Sequence, residues 1–333
     1  MKKIISVILA AALTLGLAAC GGKTAASGQE QKTYKIGVIQ YATHPSLDNI
    51  YKGFLEGLNE SGLKEGENIT INFQNAQGDK ANGDMQAKNM ATANVNLIMG
   101  IATPAAMSAY SAAKEKEIPV IFSAVSDPLA AGLVKSLEAP GTGCTGTSDV
   151  LNLEAQLKMI RAFLKDAKKI GIIYTTSEAN SVSQLEQIKK IAPNYGFEIE
   201  AVGVTNASEV ATAAASVVAK GADCINNFTD NNVVDNLSTV LHEANAAGIP
   251  VFGSEVEQVK NGCLASESID YVELGRETGR MAAKVLTGKA DINTLAVKTF
   301  STCTPVYNEK VMKALSLALP SDYSNAEAVK SGS

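Results

Sequence analysis

The chain has 333 residues, 46% hydrophobic and 19% charged, with a formal net charge of −5. It has no basic cluster to attract nucleic acid. Its two histidines and widely spaced cysteines spell no metal motif, so neither a metal nor a cofactor is expected.

The first element is a targeting segment. Lys2 and Lys3 precede an apolar run from Ile4 to Leu17, which closes on Leu17-Ala18-Ala19-Cys20. A charged start, a short apolar stretch and small residues before a cut describe an export signal. The run is 14 residues long, short of the roughly 20 needed to span a bilayer. A cysteine directly after Leu-Ala-Ala resembles the bacterial lipobox, which implies that Cys20 is acylated and becomes the first mature residue. Residues 1–19 are then the signal peptide. Residues 20–33, small and polar from Gly21 to Gln31, form a lipidated flexible tether. The expected location is the outer face of the cytoplasmic membrane, or its periplasmic side where an outer membrane exists. Some 314 residues remain, with a charge of −7 once Lys2 and Lys3 are gone.

From Tyr34 onward short β-like runs alternate with amphipathic helical stretches, the pattern of a parallel sheet wrapped by helices. The pattern occurs twice. KIGVIQ (35–40) returns as KIGIIY (169–174), ENITINFQ (67–74) as FEIEAVGV (197–204), and NLIMG (96–100) as DCINN (223–227). EIPVIFSAV (117–125) returns as GIPVFGSEV (248–256). Two Rossmann-like lobes with the same strand order follow. GTGCTGTSD (141–149) reads as a crossing strand; its GxGxxG spelling follows Pro140 and opens no helix, so it is not a nucleotide fingerprint. The stretch 270–288 reads as a helix, 297–308 as a strand, and NEKVMKALSLALP as a last helix stopped by Pro320. That return predicts three crossings, a hinge and a cleft. The first lobe is 34–147 plus about 270–298, the second is 148–269 plus about 299–320, and 321–333 is a tail. Cys224 reads as a small core residue, and a Cys263–Cys303 bridge is one option for the others.

Ligands of open α/β sheets sit at the carboxyl ends of strands, where helices begin and offer free N–H groups. Polar clusters occupy those junctions in both halves. The first lobe has Gln40-Tyr41-Ala42-Thr43-His44-Pro45-Ser46-Leu47-Asp48, then Ala102-Thr103-Pro104, then Ser126-Asp127-Pro128. The second has Glu178-Ala179-Asn180-Ser181, Thr229-Asp230-Asn231 and Gly253-Ser254-Glu255. Thr103 and Asp127 before prolines also suit plain helix starts, with Thr103 as N-cap and Pro104 as the first helical residue. Asp230 reads equally as an N-cap or a ligand contact. Tyr41, Tyr174 and Phe228 read equally as core, and His44 as a loop residue. The set matches a zwitterion: Thr103 with nearby amides for a carboxylate, Asp48 or Asp230 for an ammonium, Tyr41 or Phe228 for an apolar side chain. Ser126, Asn180, Ser181, Asn231 and Glu255 complete the expected lining. No GxSxG, Walker loop or HExxH is present, so an enzyme is not expected.

With these residues in view, the chain resembles the ABC-transporter substrate-binding lipoproteins, the family that includes tryptophan- and tyrosine-binding members. The resemblance runs from about Tyr34 to Pro320 on IQYATHPSLD (39–48), GFLEGLNESGLKEGENI (53–69), NAQGD (75–79), IATPAA (101–106), IPVIFSAVSDPLAAGLV (118–134), TGTSD (145–149), EANS (178–181), TDN (229–231) and IDYVELGRETGRMA (269–282). It implies a type I periplasmic-binding fold and a monomer that captures a small solute, an aromatic amino acid first, and delivers it to a membrane permease. Another solute (a branched-chain amino acid, nucleoside or sugar) or a sensing role uses the same clamp. By the matched motifs it implies Gln40, Asp48, Thr103, Asp127, Asn180, Ser181 and Asp230 as cleft residues.

Overall fold

The computed structural model describes residues 33–330; Cys20, the export segment, most of the tether and the last three residues lie outside the described residues. The first sheet is built from β1 (Tyr34–Gln40), β2 (Ile69–Asn75), β3 (Leu97–Ile101), β4 (Val120–Ser123) and β5 (Cys144–Ser148). Helices α1 (Pro45–Glu60), α2 (Lys80–Thr92) and α3 (Thr103–Ala113) cross between its first four strands. The inner strands β1, β3 and β4 read as nearly unbroken apolar runs because helices cover both sheet faces, whereas the edge strand β2 is mostly exposed. In β3 every residue is buried.

The second lobe repeats the plan. Helix α4 (Leu153–Phe163) leads into β6 (Lys169–Thr175), α5 (Ala179–Ile191), β7 (Glu198–Val204), α6 (Val210–Ala219) and β8 (Cys224–Asn226). Then come α7 (Asn231–Asp235), α8 (Leu237–Ala247), β9 (Val251–Phe252), α9 (Val256–Lys260) and β10 (Ala265–Ser268). The strand orders β2-β1-β3-β4 and β7-β6-β8-β9 are the same, and all of these pairs are parallel. The internal repeat is therefore a repeat of topology as well as of sequence.

The chain passes between the sheets three times. After β5 it enters α4 through 149–152. After β10 it returns into α10 (Tyr271–Leu286), which packs on α1, and into β11 (Lys298–Thr299) beside β5. It then crosses to β12 (Thr304–Tyr307), antiparallel to β10, and to α11 (Glu309–Ala314) and β13 (Glu327–Ala328). Backbone bonds from Gly253 to Ala265 and from Leu264 to Val251 tie β10 to β9.

Four local expectations need correction. The stretch 297–308 is two short strands in different sheets, because polar Ser301-Thr302-Cys303 makes the crossing. The last helix stops at Ala314, not Pro320. Ser316 takes a left-handed φ of 55°, and Leu317 and Leu319 pack on the second core as an alternating, extended pair. No helix follows Asp127: residues 128–133 turn tightly through Gly132, whose φ is 67°. The segment after Pro320 is no loose tail; β13 adds to β12, and Tyr323 lies 6.4 Å from Phe163, ring to ring. Cys144, Cys224 and Cys263 are buried and Cys303 half-buried, all as free thiols, so Cys263 and Cys303 form no bridge. Among the described residues no helix is long and apolar enough to cross a membrane.

Candidate functional site

The carboxyl ends of both sheets line one shared cavity. His44, Ser46, Leu47, Ala102, Thr103 and Ala124 line it from the first lobe. Asn180, Thr229, Asn231, Val234, Glu255 and Gln258 line it from the second, and Asp149 and Tyr271 from the crossings. No lysine or arginine is among the lining residues.

Two backbone features mark the site as specialised. Ala102 (φ 74°, ψ 156°) and Ala124 (φ 53°) hold conformations that favour glycine, and both line the cavity. Strain of this kind persists only where the surroundings over-determine it. At Ala102 it turns β3 sharply into α3, so Ala102, not Thr103, is the N-cap residue. Thr103 is thereby the first helical residue. Its hydroxyl is buried at the cavity with no protein partner.

The second lobe holds its polar groups through a dense network. Asn180 Nδ2 donates to Glu178 Oε2 (3.2 Å), Thr229 O (2.9 Å) and Ser181 Oγ (3.4 Å). This fixes the amide so that Asn180 Oδ1 is left buried and unpaired, a free acceptor at the cavity. Glu178 Oε2 also accepts from the Asn231 backbone N–H (3.2 Å) and Nδ2 (2.7 Å). Burial and the nearby Asp230 charge push the Glu178 carboxyl well up from its usual range.

The structure places the expected residues in two groups. Ala102, Thr103, Asn180, Asn231 and Glu255 line the cavity. Gln40, Tyr41, Asp48, Ser126, Asp127, Ser181, Phe228 and Asp230 do not. Gln40 Nε2 donates to Ala42 O and Asp48 Oδ1, both at 2.8 Å, and Asp48 is exposed. Tyr41 donates to Gly78 O (2.8 Å), and Phe228 is core. Asp230 accepts from Thr175 N (2.5 Å), Thr175 Oγ1 (2.8 Å), Ser181 Oγ (2.7 Å) and Val233 N (3.1 Å). A carboxylate has about four lone-pair sites, so Asp230 has none left for an ammonium. It is the N-cap of α7, and Ser181 serves it.

Ser126 and Asp127 join the lobes instead of lining the cavity. Ser126 Oγ lies 3.0 Å from Thr229 Oγ1 and donates to Asp149 Oδ1 (2.9 Å). Ser183 Oγ donates to Asp127 Oδ2 (2.5 Å) while Asp127 Oδ1 caps Ala130 N. Ser183→Ala is expected to weaken solute affinity about fivefold, the worth of one such bond to a charged group partly exposed to water. Equilibrium and stopped-flow binding would check this; an unchanged release rate would show that the bond plays no part in holding the lobes.

Sequence reasoning missed Asp149 and Tyr271. Tyr271 donates its hydroxyl to Asp149 Oδ2 (3.0 Å). Burial raises the Asp149 carboxyl, against the pull of Ser126 and Tyr271. Burial raises Glu255 to about 7, offset by the N–H groups of Glu257 and Gln258. It drives the His44 imidazole down to about 4, so that ring is neutral near pH 7. His44 therefore supplies no positive charge to the cavity.

Two lobes of parallel α/β structure around a shared polar cavity have the arrangement of a solute-binding clamp. A family model described as "ABC transporter substrate binding protein" matches residues 35–330. The chain belongs to that family. It is 40% identical over 324 residues to a tyrosine-binding protein of Clostridioides difficile (strain R20291), covering 95% of this chain and 93% of that one. Among solved structures, an ABC domain in complex with L-Trp from Streptococcus pneumonia is 36% identical with a TM-score of 0.86. That match covers 90% of this chain and all of the other. A ligand-free, open substrate-binding protein with adhesive properties from Clostridium difficile is 40% identical. It has the same coverage but a TM-score of only 0.68. The lower score despite higher identity places this chain nearer the liganded arrangement than the open one.

Proposed function

We propose that the protein is the lipid-anchored, extracytoplasmic receptor of an ABC importer, that it captures an aromatic amino acid between its lobes, and that it hands the closed form to a permease as a monomer. The observation that carries the reading is the inter-lobe cavity. Thr103 Oγ1 and Asn180 Oδ1 are buried there without partners, in a chain that superposes on an L-Trp complex. His44 Nδ1 at the same cavity is likewise buried without a partner. Because buried polar groups are normally paired, a solute with matching donors and acceptors suits this cluster. The start of α3, with Thr103 and the amides of its first turn, suits the solute carboxylate. Leu47, Val234 and the Tyr271 ring offer apolar surface to a side chain. Closure follows from differential affinity: the solute contacts both lobes only in the closed form. Acylation of Cys20 keeps the receptor at the membrane, and Cys20→Ala is expected to release it into the soluble fraction.

The test is a thermal-shift panel on refolded protein with tryptophan, tyrosine, phenylalanine, leucine, ribose and adenosine. A solute at 1,000 times its dissociation constant adds about 4 kcal/mol of stability, a rise of several degrees at roughly 2 °C or more per kcal/mol. A shift with the aromatic amino acids alone is expected. A shift with ribose or adenosine in their place would overturn the reading.

A further inference from the structure

Asp149 and Glu255 are buried carboxylates that face one cavity, and neither is saturated. Asp149 accepts one bond on each oxygen, from Ser126 Oγ and Tyr271 OH. Glu255 likewise accepts one on each, from Gln258 N (2.8 Å) and Glu257 N (2.6 Å). Asp149 also accepts from its own backbone N–H, and Glu255 from the Ser46 hydroxyl, so each keeps about one acceptor site, where Asp230 keeps none. Independently, Asn180 Oδ1, in a side chain only 3% exposed, points another unpartnered acceptor at the same space.

The groups facing these acids do not neutralise them. Around Glu255 lie Ser46 of α1, Glu257 of its own helix, Tyr271 of α10 and the Cys263 thiol; burial first, and then the nearby acid charges, push both Tyr271 and Cys263 up. The nearest basic residue on α9, Lys260, is spent on Glu257 Oε1 at 2.8 Å. His44 is neutral. Around Asp149 stand Ser126, Tyr271 and its own backbone N–H, none of them a cation. An empty, closed cavity would thus bury acids that have no cation. That state is unfavourable unless the acids take up protons.

We propose that Asp149 and Glu255 seat the ammonium group of the solute and make closure of the lobes conditional on it. The proposal rests on the aromatic amino-acid reading above and adds what that reading leaves open: the solute must carry a protonated amine, and shape alone does not close the clamp. A deaminated analogue that fills the same volume would lay a third carboxylate among the acids and supply no cation. It binds weakly and leaves the lobes apart. The role is one of specificity through charge: the favoured solute gains, and a look-alike meets buried negative charge.

The experiment measures closure of the purified protein by small-angle scattering and affinity by calorimetry. The probes are L-tryptophan, L-tyrosine, tryptamine, indole-3-propionate, leucine and ribose. L-Tryptophan is expected to reduce the radius of gyration, and indole-3-propionate to bind at least about a hundredfold more weakly without reducing it. Glu255→Gln keeps an oxygen for the α9 amides. It is expected to weaken L-tryptophan at least about tenfold and to shrink the gap between the two ligands. Asp149→Asn, which retains one acceptor, is the second variant, and circular dichroism checks that both fold. If indole-3-propionate closes the wild-type protein as L-tryptophan does, or if both variants keep the full gap, the seat is overturned while the solute reading stands. Closure by leucine but by no aromatic amino acid overturns the aromatic reading and leaves the seat. Closure by ribose alone, or by none of the probes, overturns both.

Discussion

Asp230→Ala is expected to destabilise the protein by about 3–5 kcal/mol and to lower its thermal midpoint by about 10 °C. The carboxylate joins three segments. It accepts from the last residue of β6, from Ser181 of α5 and from the first turn of α7. Removing it leaves the Thr175 N–H, the Thr175 and Ser181 hydroxyls and the Val233 N–H without an acceptor in a region closed to water. Each orphaned donor carries a desolvation penalty of about 1–3 kcal/mol, some of it recovered by relaxation. Glu178 changes as well. Its carboxyl is raised partly by the Asp230 charge, so the variant brings it back toward the ordinary range and alters the grip on Asn180 and Asn231. Chemical denaturation and solute titration together decide the matter. A residue that only contacts an ammonium would leave the denaturation midpoint in place and cost affinity alone. That outcome would return Asp230 to the cavity and refute the saturated-cap assignment.

The pH dependence of the closed form tests the same electrostatics with the opposite sign. The Glu255 carboxyl is raised from 4.5 to about 7. Its contribution is therefore present below the unfolded value and is lost as pH rises through 7. The His44 imidazole is lowered from 6.5 to about 4, so its contribution is lost as pH falls from 6.5 toward 4. Glu178, raised to about 8, and Asp235, raised to about 6, lose their contributions in the same direction as Glu255. Stability of the solute-free closed form is therefore expected to peak at about pH 4–5 and to fall toward about pH 8. An amine-bearing solute, by stabilising the charged acids, is expected to move that peak upward. Denaturation curves at several pH values, with and without L-tryptophan, check this; a peak that the solute leaves in place would count against the acids' part in binding.

The architecture was legible because parallel strands covered on both faces leave uninterrupted apolar runs. KIGVIQ and KIGIIY announce equivalent strands by that signature alone. The rule that ligands meet the carboxyl ends of such strands then located Ala102, Thr103, Asn180, Asn231 and Glu255. It did not say which way a junction side chain turns. Asp48 lies one helical turn into α1 and faces out, while Asp230 turns back onto β6. Asp149 and Tyr271 escaped for another reason. They are 122 positions apart and meet only because the chain crosses back after β10. The available signal was an acid directly after the buried strand CTGTS, at the same edge as the other junctions. Reading 141–149 as a connection hid it.

Gly53→Ala and Gly275→Ala put the seam between α1 and α10 to the test, and here two physical effects compete for the sign. Alanine is the better helix former by about 1 kcal/mol in a helix interior, so propensity alone predicts a more stable protein. The packing predicts the reverse. A Cβ on Gly53 would collide with Val272 O and one on Gly275 with Ile50 O, and Gly57 and Gly279 meet the facing backbone in the same way. Backbone cannot swing aside as a flexible side chain can. The helices must separate, and their buried partners Leu58, Phe54 and Leu274 lose contact. The ion pairs along the outer edge, Arg276 with Glu56 and Arg280 with Glu60, lie open to water, which screens them. They cannot hold the seam shut. A net loss of about 3 kcal/mol is expected for either variant, read as a midpoint lower by about 6 °C or more; a raised midpoint would show that the seam is loose. Function follows the same displacement. Tyr271 is the first residue of α10 and carries the hydroxyl that Asp149 accepts, so a shifted α10 withdraws that donor from the cavity. Affinity for the solute is expected to fall with stability in Gly275→Ala, four residues from Tyr271, and to fall less in a Gly279→Ala protein, whose collision lies a helical turn further away.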